Sequence, residues 1–148
     1  MGYQYKFERI LSLKEREKEE AQSAYQDSIK KFELVAEKLY DFLKKKEDLL
    51  SFQEQQLKSG FQVQEIRHYQ NFITNLEKSI SYYQNLVIQA RNRMNWYEDQ
   101  LASMNIEVKK YEKIREKDYK QFLTKEKEDE NKQLDEVSVL QYMNKGMR

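Results

Sequence analysis

His68 is the only histidine in the chain and there is no cysteine, so the residue types that build a zinc site or a thiol nucleophile are missing. A histidine switch needs a partner held against the imidazole. The sequence supplies none, and His68 reads as a solvated residue on a helix. Only three glycines occur, with Gly2 and Gly146 at the two ends, which leaves nothing from which to make a glycine-rich phosphate loop. Carboxylates are plentiful, but acid–base catalysis requires a pocket that shifts their pKa, and paired helices place them on open convex surface. Lys109-Lys110-Tyr111-Glu112-Lys113-Ile114-Arg115 interleaves basic and aromatic residues. Tyr111 falls on an apolar repeat, however, and Glu112 and Glu116 interrupt the basic face, which argues against nucleic acid. These residues point away from catalysis, metal ions and cofactors, and toward binding between proteins.

The elements that position them follow from composition. Charged residues make up 36% of the chain and apolar ones 39%, with no proline. That is too polar for a spherical core and too poor in breakers for many turns. Aromatics at 13% and sustained periodicity speak against disorder. The 27 basic and 26 acidic residues are interspersed, so the net charge of +1 gives no overall attraction to nucleic acid or anionic lipid. No apolar run has the length of a membrane span or a signal-peptide core. With cysteine absent, the chain reads as cytoplasmic.

From Ile66 apolar residues recur in alternating steps of three and four: Ile66, Tyr69, Ile73, Leu76, Ile80, Tyr83, Val87, Ala90, Met94, Tyr97, Leu101, Met104, Val108 and Tyr111. This is a coiled-coil seam with left-handed supercoiling. A weaker seam runs through Phe7, Leu11, Ala21, Tyr25, Phe32, Val35, Leu39, Phe42 and Leu49, broken by Lys14, Lys18, Ser28, Lys46 and Gln53. Helix-spaced pairs on the polar faces, Asp27 with Lys31, Asp41 with Lys45 and Glu54 with Lys58, add about 0.2–0.5 kcal/mol each. Gly60 is the one interior residue that takes a left-handed turn conformation at little cost.

The spacing therefore predicts an all-α fold, a long two-helix antiparallel coiled-coil hairpin in one domain. Helix 1 spans about 3–57, the turn about 58–62, helix 2 about 63–135 and a charged tail about 136–148. In the resulting register, with paired residue numbers summing to a constant, Leu49 faces Ile73, Phe42 faces Ile80, Val35 faces Val87, Phe32 faces Ala90 and Ala21 faces Leu101. Large side chains repeatedly meet small ones. Helix 1 would extend on the order of 80 Å. Tyr3 would lie near Tyr119, leaving residues from about Lys120 onward as an overhang. A hairpin of this kind is expected to be a monomer in isolation.

Phe72, Tyr82 and Trp96 fall beside the seam, where a two-stranded coil leaves large side chains partly exposed. Phe72 is adjacent to Ile73 and four residues from Leu76. With Phe42 and Leu49 across the register it forms an apolar patch near the turn, a candidate docking face.

Two stretches resemble the FliJ family of flagellar type III export. Tyr5-Lys6-Phe7-Glu8-Arg9-Ile10-Leu11-Ser12-Leu13 with the charged run to Ala21 is similar to the family's opening. Tyr69-Gln70-Asn71-Phe72-Ile73-Thr74-Asn75-Leu76-Glu77-Lys78-Ser79-Ile80 is similar to the start of its second helix. Length, central turn and charged tail also match. The resemblance implies a non-enzymatic stalk, similar in shape to the central stalk of rotary ATPases, that inserts into the ring of the export ATPase FliI. It further implies contact with the membrane export gate FlhA, escort of export chaperones, and a cytoplasmic protein peripherally associated with the membrane at the flagellar base. By the same resemblance Phe42, Leu49, Phe72 and Leu76 form the gate-docking face. Phe7, Leu11, Tyr111, Arg115 and Tyr119 belong to the end that enters the ring. Ser79 and Tyr83 continue the docking stripe but differ in type from the family pattern.

Three rivals make different demands. A homo-oligomeric scaffold of straight helices predicts a dimer and no turn at Gly60. A prefoldin-like chaperone needs strands, and no alternating β run occurs. The equivalent stalk of a virulence secretion system shares the physics, and the aromatic-rich second motif favours the flagellar one.

Overall fold

The computed structural model describes residues 2–146. They form two helices, α1 (Glu8–Ser59) and α2 (Val63–Gly146), with no strand among the described residues. This is the all-α, two-helix antiparallel coiled-coil hairpin that the spacing predicts. Two compact units are distinguished, Met1–Lys18 with Ser103–Arg148 and Glu19–Ala102. The division falls at Lys18, a charged position in the weaker seam.

Helix 1 starts at Glu8 rather than near residue 3. No Ser, Thr, Asp or Asn is available to cap it. The chain instead turns, with the Glu8 amide donating to the Tyr5 carbonyl at 3.2 Å and the Leu11 amide to Phe7 at 2.9 Å. Glu8 in the first turn complements the helix dipole. Helix 2 runs to Gly146, past 135, because no proline or interior glycine breaks it there and Glu136, Leu140, Gln141, Met143 and Lys145 are good helix formers. Residues 147 and 148 of the expected tail lie outside the described residues.

In the unit Glu19–Ala102, Ile73, Leu76 and Ile80 are buried in the seam. Phe42 stacks on Tyr83 at 5.2 Å, Phe52 meets Tyr69 at 5.5 Å, and Arg91 sits over the Phe32 ring at 5.8 Å. Each partner lies within one helical turn of the position the expected register assigns. Two polar breaks find partners. Ser28, 4% exposed, donates its hydroxyl to the Tyr25 carbonyl at 2.6 Å, and Lys46 reaches across to Glu77 at 3.4 Å. That half-exposed ion pair contributes at most about 1 kcal/mol. None of the pairs expected at Asp27–Lys31, Asp41–Lys45 and Glu54–Lys58 closes to ion-pair distance; the ion pairs among the described residues are Lys14–Glu17, Lys46–Glu77 and Glu116–Lys120. Exposed long side chains gain too little from such contacts to hold one geometry.

Gly60 has φ +91° and links the helices through residues 60–62. A Cβ there would meet nothing within 4 Å, so the cost of adding one is purely conformational. Gly60→Ala is expected to destabilise the hairpin by about 1–2 kcal/mol, seen as a lower melting temperature. A chain of straight helices would instead be stabilised, because alanine is the better helix former.

Candidate functional site

Two surfaces come from the two units. The first is the end where the described amino-terminal residues lie on α2. Leu11 is 1% exposed and packs with Tyr5 and Val108, while Tyr3, Phe7, Tyr111 and Ile114 surround this core. Residues 2–7 form a strap outside the helix. The Tyr5 hydroxyl donates to the Tyr111 carbonyl at 2.9 Å, and the Tyr3 hydroxyl donates to Asp118 Oδ2 at 2.8 Å. The Tyr3 ring also meets Tyr119 at 5.1 Å and Phe122 at 5.3 Å. Of the expected ring-end residues, Leu11 is core, Phe7, Tyr111 and Arg115 are half-buried, and Tyr119 is exposed. After Phe122 every described residue of α2 is exposed, and Leu134, Val137, Leu140, Tyr142 and Met143 present apolar surface there.

Withdrawal from water, followed by the Asp118 hydrogen bond, pushes the Tyr3 phenol up to about 12. Burial also raises Tyr5. A phenol whose pKa rises on folding stabilises the fold fully below its unfolded value near 10 and loses that contribution as pH climbs through the folded value. The strap is therefore expected to loosen between about pH 10 and 12, measurable as rising amide exchange at Glu8–Leu11 while the seam around Ile80 stays protected.

The second surface is the turn-proximal face of Glu19–Ala102. Phe72 is 49% exposed and available to a partner, whereas Leu76 is 6% exposed and belongs to the seam. Phe42 and Leu49 are half-buried, with Phe42 occupied by Tyr83. Of the four expected docking residues, then, Phe72 offers the most side chain and Leu76 supports the helix that carries it. Leu43, Leu50 and Leu57, all exposed on α1, escape a reading confined to the seam. Their recurrence at every seventh residue was the available signal. Tyr82 and Trp96 are exposed as the off-seam pattern predicts.

His68 is exposed beside Tyr69. Among the described residues no cluster of His, Asp or Glu is arranged to hold a metal ion, and no helix is long and apolar enough to cross a membrane.

Comparison with known proteins places the chain, by its whole length, in a family. Residues 3–147 match the family model described as the flagellar FliJ protein. The chain is 50% identical over 146 residues to the flagellar FliJ protein of Bacillus subtilis (strain 168), covering 99% of both chains. Its fold is similar to that of a solved Chlamydia trachomatis protein described as a YscO homologue, with a TM-score of 0.75 at 20% identity over 99% of each chain.

Proposed function

We propose that this chain, which belongs to the FliJ family of flagellar proteins, is a non-enzymatic stalk of the flagellar type III export apparatus that binds the export ATPase, the export gate and export chaperones. The observation that carries this reading is that each of the two compact units has its own kind of exposed surface, among described residues that hold no metal-binding cluster. One is the helical segment after Phe122, exposed throughout, beside the strapped end at Leu11 and Tyr111. The other is the aromatic and leucine surface around Phe72 and Leu50. A helix with free apolar side chains suits insertion into a ring, as the central stalk of a rotary ATPase does, while an exposed aromatic anchor suits a groove on a second partner. In this reading the ring-end group is Phe7, Leu11, Tyr111, Arg115 and Tyr119, and the gate-docking group is Phe42, Leu49, Phe72 and Leu76. Leu11 and Leu76 act by holding their surfaces in shape. The chain works in the cytoplasm, peripherally at the membrane of the flagellar base.

The test is retention of proteins from an extract of flagellated cells on the immobilised full chain, identified by mass. An export ATPase together with a membrane export component is the expected set. Recovery of nothing but the chain itself would replace the stalk by a homo-oligomeric scaffold.

A further inference from the structure

We propose that a groove between α1 and α2 in Glu19–Ala102, rimmed by Lys31, Lys38 and Arg93 over Leu34, Tyr82 and Leu86, binds an acidic amphipathic helix of a partner protein. The groove encloses about 530 Å³ and shares no residue with the gate-docking group. Val35, Tyr83 and the small Ala90 also line it, and a residue as small as alanine at a seam position leaves room that a larger side chain would fill.

Its charge is one-sided. Lys31 and Lys38 come from α1 and Arg93 from α2, and no carboxylate lines it; the nearest acid in the lining of an adjoining hollow is Asp27, which shares that hollow with Lys31 and Arg93 and leaves the Lys38 end wholly basic. None of the three cations takes part in an ion pair among the described residues. Lys38 instead rests its ammonium 5.9 Å from the centre of the Tyr83 ring at the groove wall, a position from which it can also meet an incoming anion. Leu34 and Tyr82, 59% and 60% exposed, supply the apolar area that such a partner would cover.

Shape and spacing select the occupant. Lys31 and Lys38 are two turns apart on one helix face, about 10 Å, which matches carboxylates two turns apart on a helix laid alongside. Cations on both walls of a concave apolar floor suit a helix in a groove, whereas an anionic bilayer is met by the convex apolar face of an amphipathic helix. Complementary charge would raise the association rate and make binding sensitive to salt.

The probe is a fluorescein-labelled heptad peptide with leucine at its core positions and glutamate flanking them. Its control carries lysine in place of glutamate. Titrating the full chain should give saturable anisotropy with the acidic peptide alone, weakening as salt rises. Lys38→Glu with Arg93→Glu should weaken it about tenfold or more, and Lys58→Glu, an exposed charge reversal outside the groove, should leave it unchanged. Circular dichroism shows whether the variant keeps its helices, and Lys38→Gln with Arg93→Gln repeats the test without reversing charge. Equal binding of both peptides, or acidic-peptide binding indifferent to both double variants, would overturn the proposal. So would self-association of the chain that the charge reversal abolishes, which would assign the groove to a second copy. Sedimentation with phosphatidylglycerol vesicles that is lost in the variant, without peptide binding, would assign it to a membrane.

Discussion

Leu11→Ala is expected to destabilise the terminal unit by about 2–5 kcal/mol and to lower the melting temperature on the order of 10 °C. Leu11 is the most deeply buried large side chain, at 1% exposure, and it packs with Tyr5 and Val108. Removing its branched end leaves a cavity that α1 cannot close by sliding, because the turn through Tyr5 and Glu8 ties the helix start to the strap. The strap loses its floor in the same step. Thermal unfolding by circular dichroism measures the loss, and amide exchange locates it. Protection should fall at Glu8–Lys18 and around Val108, while Ile73–Ile80 keeps its own. A uniform fall along both helices would mean that the two compact units do not respond separately. Loss of less than about 1 kcal/mol would mean that Leu11 is not the keystone of this end.

Ending the chain at Phe122 is expected to act in the opposite way, removing binding without removing stability. Every described residue after Phe122 is exposed, so the segment adds little buried area to the hairpin and its loss should leave the melting temperature nearly unchanged. Yet Leu134, Val137, Leu140, Tyr142 and Met143 expose apolar side chains, each worth about 1.5–3 kcal/mol when fully buried. Burying even two of them in the ATPase ring corresponds to an affinity difference of about a hundredfold or more. The truncated chain should therefore lose the export ATPase from a pull-down while folding as before. Full retention of the ATPase would remove the ring-end assignment.

How much of this was legible in the sequence depended on whether one periodicity governed the residue. The α2 seam obeys a single repeat and is readable throughout, and Gly60 is readable because it is the only interior residue tolerant of its φ. The strap departs from the expected helix start near residue 3, and its signal is that Tyr3, Tyr5 and Phe7 alternate with polar residues in a period of two that suits extended chain better than helix. Assigning Phe7 and Leu11 to one continuous seam hid that change. The end of α2 is not marked in the sequence: residues 136–146 hold no proline, and Glu136, Leu140, Gln141 and Met143 carry the helix past the expected boundary at about 135. Leu76 belongs to the docking group by resemblance and to the seam by its three-and-four spacing, and that spacing accounts for its burial. The basic groove follows from no motif. It needs Lys31, Lys38 and Arg93 to line one groove from two helices, and a seam register pairs the core positions without saying which flanking side chains share a concave face.

The central claim is that one chain holds two partners on separate surfaces, and a crossed pull-down from flagellated cells tests it most directly. The wild-type chain, Phe72→Ala and the chain ending at Phe122 would be compared, with retained proteins identified by mass. Phe72→Ala should keep the export ATPase and lose the membrane export component, and the truncated chain should do the reverse. If both variants lose both partners together, or neither loses either, the two surfaces are not separate binding sites and the stalk reading is contradicted.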